Sequence, residues 1–312
     1  MKKILVTGAL GQIGTELTTK LRQVYGNTNV ISSDIHEYDE NQDGLYETID
    51  VTNEKKIYEV ANKYQVDTII HLAALLSARA EASPQLAWNL NMNGLLNALE
   101  AAKELQVKLF VPSSIATFGL TTPLDQTPQI TVQRPTTMYG INKLAGELLC
   151  DYYHLRYGLD TRGIRLPGLI SYAAPPGGGT TDYAVEMYYE AVKKQTYTSF
   201  IGENTHMDMM YMPDALDAII QMMEADGNRL KYRNAYNISA VSAAPEDFAK
   251  SIQTYIPEFT LQYEVDPVRQ QIAESWPNSL DYTAAMEDWG FQPTYNLDMM
   301  TKDMLDNLRI KL

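Results

Sequence analysis

Short apolar runs and helical apolar stripes alternate along the first half of the chain. Ile4-Leu5-Val6 is an uninterrupted apolar run leading into Thr7-Gly8, and it predicts a buried strand. Ile13, Leu17, Leu21 and Val24 then recur at the spacing of one helix stripe. Val30-Ile31 predicts a second strand. Thr68-Ile69-Ile70-His71-Leu72 predicts another, continuous in its apolar character, as expected of a strand covered on both faces. Met92, Leu95, Leu96 and Leu99 mark a helix, Leu109-Phe110-Val111 a strand, and Ile141, Leu144, Ala145, Leu148 and Leu149 a further helix. Strand and helix in repeated alternation predict an α/β fold with a doubly wound parallel sheet.

The second half is less regular. Pro175-Pro176-Gly177-Gly178-Gly179 is the strongest punctuation in the chain and excludes a helix or strand interior. A helix is expected just after it, with Asp182 placed to cap and Ala184, Met187, Tyr188, Ala191 and Val192 as its stripe. Leu216, Ile219, Ile220 and Met223 mark another, with Asp214 at its start.

The length of 312 residues is enough for about two folding units. A net charge of −14 argues against a grip on a nucleic-acid backbone or an anionic membrane surface. No apolar run is long enough for a membrane span. The run behind Met1-Lys2-Lys3 is too short for a secretory leader. Cys150 is the single cysteine, so no internal disulfide and no cysteine-based zinc site can form, and a cytoplasmic location is expected. His36, His71, His154 and His206 are widely separated, and no metal is assigned. Met207, Met209, Met210 and Met212 are expected to pack rather than to ligate.

Gly8-Ala9-Leu10-Gly11-Gln12-Ile13-Gly14 follows the first strand and opens the first helix. Gly8 permits the tight turn, Gly11 lets the backbone approach a pyrophosphate, and Gly14 allows close packing of helix on sheet. Asp34 ends the second strand, 20 residues after Gly14, where a carboxylate accepts hydrogen bonds from an adenosine ribose diol and repels a 2′-phosphate. NAD is therefore the expected cofactor. Gln12, Ile13, Ile35, Asp50, Val51, His71, Leu72, Ala73 and Ala74 are assigned to the same crevice. Residues 1–166 then form an NAD-binding Rossmann unit. Residues 167–312 form mainly a smaller C-terminal substrate-binding lobe, with at least one segment returning to the first sheet.

Tyr139 and Lys143 stand four residues apart, on one helix face. A nearby ammonium and an oxidised nicotinamide lower a phenol's pKa, so that Tyr139 takes a proton from a substrate hydroxyl as hydride leaves the same carbon. Ser113 and Ser114 follow the strand that ends at Val111 and can orient that hydroxyl.

With these residues together the chain resembles the extended short-chain dehydrogenase/reductase superfamily over nearly its whole length. Val111-Pro112-Ser113-Ser114-Ile115-Ala116-Thr117-Phe118-Gly119 is similar to its serine strand end and places the catalytic-type serine at Ser114. Arg134 to Lys143 is similar to its tyrosine helix. Within the superfamily the chain resembles the short-chain L-threonine 3-dehydrogenases. That likeness rests on Ala73 to Ala78, Pro175 to Ala184, Met209-Met210-Tyr211-Met212 and Ser275-Trp276-Pro277. It implies oxidation of the threonine β-hydroxyl by NAD+ to 2-amino-3-oxobutyrate, with Tyr139 as base and Lys143 on the nicotinamide ribose, in a homodimer. Leu166 stands where the family usually has an aromatic residue and joins the cofactor set. Pro213 stands where an acid is expected.

The loop around Gly179, Thr180 and Thr181 offers amides and hydroxyls that suit a small carboxylate. Ser77 is assigned to orient the amino acid, and Trp276 to close the pocket. Gly168 stands where nucleotide-sugar members carry an asparagine. A nucleotide-sugar epimerase or reductase remains the alternative enzyme, and a non-catalytic NAD-sensing protein the alternative of another class.

Overall fold

The computed structural model describes residues 1–37, 44–173, 175 and 177–312; the predicted break at Pro176 lies outside them. The first half contains β1 (Ile4–Thr7), α1 (Gln12–Tyr25), β2 (Val30–Asp34), β3 (Leu45–Thr48), α2 (Lys56–Tyr64) and β4 (Thr68–His71). It continues through α3 (Ser77–Ala82), α4 (Pro84–Trp88), α5 (Gly94–Leu105), β5 (Lys108–Phe110), β6 (Ser113–Ser114) and α6 (Met138–Tyr157). Then come β7 (Thr161–Arg162), β8 (Ile164–Leu166) and β9 (Gly168–Ile170). Strands β3-β2-β1-β4-β5-β7 form one sheet whose pairings are all parallel.

Side chains alternate across that sheet. Ile4, Val6, Ile70 and Phe110 pack in one core with Leu17 and Leu21 of α1. Leu5, Ile31, Ile69 and Leu109 pack in the opposite core with Ile57 and Val60 of α2 and Leu95 and Leu99 of α5. Burial on both faces is why these strands read as continuous apolar runs.

Pro112, which has no N–H, interrupts the fifth strand. Beyond it β6 pairs with β8, and β8 with β12 (Tyr236–Asn237), so a two-residue segment of the second half extends the parallel array. The Val111 N–H bridges the interruption by donating to the Arg162 carbonyl at 2.9 Å.

The second half adds α7 (Asp182–Lys194), β10 (Thr196–Ser199), β11 (Met207–Tyr211), α8 (Met212–Glu224), β13 (Val241–Ala243), α9 (Pro245–Gln253) and β14 (Thr260–Tyr263). Helices α10 (Pro267–Glu274), α11 (Thr283–Trp289) and α12 (Leu297–Lys311) follow. Strand β11 pairs parallel with β9 and antiparallel with β13, while β10 pairs parallel with β14. Tyr183, Tyr188, Phe248 and Met300 fill the core beneath these small sheets. Met207, Met209, Met210 and Met212 are fully buried in the two neighbouring cores. Pro213 sits in the first turn of α8, where a missing N–H costs nothing. Among the described residues no helix is long and apolar enough to cross a membrane.

Three expectations are corrected. Val24 closes the α1 stripe in sequence but is exposed. In α6 the predicted apolar stripe faces the interior only in part: Ile141 and Leu148 are exposed and Leu149 packs against the core, while Gly140, Asn142, Gly146, Glu147, Cys150 and Tyr153 are buried. The inner face of α6 meets a polar network, in which Glu147 accepts from Ser113 at 2.5 Å and from Arg165 at 2.8 and 2.9 Å. Asp182 is the first residue of α7 rather than its cap, and its carboxylate reaches back to the glycine loop.

Candidate active site

The β1–α1 turn is built by close backbone contacts. Gly8 has φ +71°, and a Cβ there would stand 2.6 Å from the Ala73 nitrogen. A Cβ on Gly14 would stand 2.2 Å from the Gly8 carbonyl oxygen, so that glycine lets α1 lie on the turn. Gly11 instead borders a groove of about 350 Å³ that also touches Gly8, Asp34, Ile35, Asp50, Val51, Leu72, Ala73 and Ala74. Asp34 is held at its edge by the Leu10 N–H at 3.1 Å and the Ile35 N–H at 2.8 Å. The first amides of α1 and the end of β2 thus meet on one surface, where a phosphate and a ribose diol would each find a partner.

Arg79 of α3 also lines this groove and brings a cation to an otherwise acidic rim. Sequence reasoning passed over it. Its signal is a lone positive charge two residues after Ser77, in the segment that follows β4.

His71 does not line the groove as expected. It is buried, and its Nδ1 hydrogen-bonds with the Thr7 hydroxyl at 2.8 Å. Burial, with the nearby Lys143 charge, pushes its pKa down to about 3 and keeps it neutral. The last residue of β4 points its ring into the protein while Leu72, Ala73 and Ala74 reach the groove.

A second cleft of about 130 Å³ adjoins the first. Gln12, Ile13, Ser77, Ser114, Tyr139, Lys143 and Leu166 line it, with Gly179, Thr180, Thr181, Asp182 and Trp276 opposite. Gln12 Nε2 is buried without a partner among the described residues.

Tyr139 stands in the first turn of α6. That turn is capped by the Thr137 hydroxyl, which accepts the Gly140 N–H at 3.1 Å, and by Glu81 of α3, which accepts the Met138 N–H at 2.5 Å. Gly140 lets the turn rest on the strand end, because a Cβ there would stand 2.1 Å from the Ala116 carbonyl oxygen. One turn on, Lys143 Nζ donates to the Pro112 carbonyl at 2.8 Å and stands 5.5 Å from the centre of the Tyr139 ring. Ser114 Oγ accepts the Ala116 N–H at 3.1 Å, which leaves its own proton to donate.

The chain by itself does not lower the Tyr139 pKa. Burial pushes the phenol up to about 12, with the Ser114 hydroxyl pulling it back in part. Burial draws the Lys143 ammonium down to about 8. Stripping water from both groups destabilises the phenolate and the ammonium alike. A base at Tyr139 therefore needs a further positive charge in the cleft.

At the far end, the Gly178 and Gly179 amides donate to Asp182 Oδ2 at 2.6 and 2.7 Å. The chain's own carboxylate already occupies the amide pair expected to meet a substrate carboxylate. Ser77 and Thr180 are both buried, with their hydroxyl oxygens 3.5 Å apart.

The family model for the NAD-dependent epimerase/dehydratase family matches residues 4–239. The chain belongs to this family. An uncharacterized epimerase/dehydratase of Staphylococcus saprophyticus is 56% identical to it over 314 residues, covering 100% of this chain and 98% of that protein. The crystal structure of an L-threonine dehydrogenase from Clostridium difficile superposes with a TM-score of 0.98 at 60% identity, covering 100% of this chain and 98% of that one. The holo form of a GalE-like L-threonine dehydrogenase from Cupriavidus necator superposes with a TM-score of 0.96 at 48% identity, covering 98% and 99%. Membership and these neighbours make the protein an NAD-dependent oxidoreductase that acts on a CH–OH group.

Proposed function

We propose that this oxidoreductase is an L-threonine 3-dehydrogenase, converting the β-hydroxyl of L-threonine to the ketone of 2-amino-3-oxobutyrate. The observation that carries this is the convergence of Ser114, Tyr139, Ser77, Thr180 and Trp276 on one cleft of about 130 Å³. That space is well below the roughly 300–1,000 Å³ of sites for larger ligands, and it suits a free amino acid better than a nucleotide sugar. The likeness to L-threonine dehydrogenases of up to 60% identity supports the same substrate.

The residues present fit an NAD cofactor. Gly8, Gly11 and the first amides of α1 would hold the pyrophosphate with Arg79, Asp34 the adenosine ribose, and Lys143 the second ribose. Gln12 Nε2, at the edge of the cleft and without a partner among the described residues, is a donor in search of an acceptor. Bound NAD+ supplies the hydride acceptor and the positive charge that Tyr139 lacks.

Ser114 donates to the substrate oxygen and fixes its distance from Tyr139. Tyr139 Oη takes the hydroxyl proton, and the Lys143 ammonium stabilises the phenolate by its charge. Asp182, the carboxylate lining the cleft, is available to the substrate ammonium. Thr180 and Ser77 hydrogen-bond the other end of the amino acid, and Trp276 excludes water. The apolar face that α6 turns outward fits a homodimer, working in the cytoplasm.

NADH absorbance should grow when the purified protein meets L-threonine and NAD+ alone. Growth with a UDP-sugar and none with threonine would reverse the assignment to the nucleotide-sugar alternative. Thr180→Ala should raise the threonine KM about tenfold, the scale of one or two lost hydrogen bonds. Unchanged KM and kcat/KM would remove Thr180 from the substrate site.

The low pKa of Lys143 gives a pH signature. The ammonium is charged below about pH 8 and neutral above it. Affinity for NAD+, followed by tryptophan fluorescence, should hold at neutral pH and decline as pH rises through about 8. A flat profile across that range would remove the charge of Lys143 from cofactor binding.

A further inference from the structure

The threonine-bearing wall of the substrate cleft rests on one strand position. Gly168 opens β9, pairs with Met209 of β11 and lines the cleft together with Thr180 and Thr181. It has no side chain, and the structure leaves no room for one. A Cβ there would stand 2.4 Å from Met209 Sδ, 2.7 Å from Thr181 Cγ2 and 3.0 Å from Thr181 Cβ. Carbon atoms in good contact are ~3.5–4.0 Å apart, so the methyl group of Thr181 lies directly against the bare backbone of β9.

Whatever moves Thr181 moves its loop. Asp182 Oδ2 accepts the Gly178 and Gly179 amides at 2.6 and 2.7 Å, and the Ala184 N–H donates to the Thr181 carbonyl at 3.2 Å, so residues 178–184 form one tied turn. Behind that turn α7 is anchored, with Tyr183, Ala184, Val185 and Met187 all fully buried. Thr181 is branched at Cβ and stiff at χ1, and Met209, the other neighbour of Gly168, is fully buried in the core. A side chain at position 168 is therefore relieved by lifting the loop from the sheet, and the buried Thr180 hydroxyl goes with it. The bare strand sets the width of the cleft between this loop and Tyr139.

We propose that Gly168 is a specificity-determining residue of this cleft. By seating Thr181 on β9 it closes the cleft around a β-hydroxy-α-amino acid whose hydroxyl-bearing carbon carries a methyl group, and it excludes one with a longer chain. This rests on the oxidation proposed above and adds what limits the substrate of that reaction. Carboxylate, ammonium and hydroxyl are common to all such amino acids, and Ser77, Ser114, Tyr139, Thr180 and Asp182 meet them alike. The chain beyond the hydroxyl-bearing carbon must fit what remains of about 130 Å³. Width, and not a hydrogen bond, then separates threonine from its longer homologue. One methylene in a closely fitting apolar site is worth roughly 10–200-fold in kcat/KM.

The probe is 3-hydroxynorvaline with the C2 and C3 configuration of L-threonine, one methylene longer, assayed with NAD+ by NADH absorbance. The wild type should prefer threonine by about tenfold or more in kcat/KM, and equal values would overturn the proposal. Gly168→Ala should raise the threonine KM about tenfold and cut that preference about fivefold or more. Its NAD+ affinity should hold, because Gly168 lies outside the groove that Asp34 borders. A merely structural fault lowers both substrates alike, so an unchanged preference would overturn the proposal. Adding Thr181→Ser to Gly168→Ala moves one methyl group across the contact and should restore the preference; no recovery would overturn the seat. Where Gly168→Ala does not fold, two single variants decide. Thr181→Val keeps Cβ and a γ-methyl and should keep the preference at whatever rate, while Thr181→Ser, without Cγ2, should lower it; any other pattern would overturn the proposal. A crystal structure of Gly168→Ala should show Thr180 and Thr181 lifted from β9, and an unmoved loop would overturn the proposal whichever alcohol is oxidised. No turnover of L-threonine by the wild type would instead overturn the substrate assignment, and leave the crystal structure to decide the seat.

Discussion

Replacing Tyr139 with phenylalanine should leave NAD+ affinity within about threefold of wild type and cut kcat by ~10²–10⁴-fold, the contribution of a positioned general base. The substitution removes one oxygen from a ring whose packing it preserves, because Thr137 and Glu81 hold the helix turn through backbone amides rather than through the phenol. Binding and turnover should therefore separate cleanly. Stopped-flow fluorescence gives the first quantity and NADH absorbance the second. Turnover within threefold of wild type would move the base elsewhere. A parallel loss of NAD+ affinity would mean that the phenol holds the cofactor rather than the proton.

Gly140→Ala should do comparable damage without touching a reacting atom. The new methyl would fall 2.1 Å from the Ala116 carbonyl oxygen and 2.8 Å from the Pro135 Cβ, and neither is the end of a flexible side chain. The first turn of α6 must lift away from the strand end that carries Ser114. A displacement of about 1 Å at reacting groups costs on the order of 10²-fold in rate. Overpacking of this kind also destabilises by roughly 1–3 kcal/mol. A melting curve by circular dichroism and a kcat measured well below the transition separate the two effects. Wild-type kcat with an unchanged Tm would show that α6 is not held against Ala116 in solution.

The parts of this molecule that depend on near neighbours were legible in the chain. The β1–α1 turn follows from three glycines, two of them pressed against backbone and the third open to the groove, and Asp34 follows from the length of one strand–helix–strand unit. Tyr139 and Lys143 share a face because both lie on one helix. The inward face of α6 was not legible, because apolar periodicity cannot tell a core from a surface left for another molecule. Its true inner face is small and polar, matched to Ser113 and Arg165, which lie 34 and 18 residues from Glu147. Asp182 was misplaced for a similar reason: the pattern marked a helix start but not that its carboxylate would turn back onto Gly178 and Gly179. The second half was harder still. A two-residue strand such as β12 has no periodicity to detect, and its place beside β8 is decided by tertiary contacts alone.

Cys150 is the single cysteine of the chain, and it is buried on the inner face of α6, with burial holding its thiol well above the ordinary range. The protein thus offers a silent background for thiol-directed dyes. A cysteine introduced at Gly177, at the exposed start of the threonine loop, would be the one sulfhydryl that a maleimide fluorophore reaches without unfolding. Its emission would report on that loop during a single catalytic cycle, with no prior removal of native thiols.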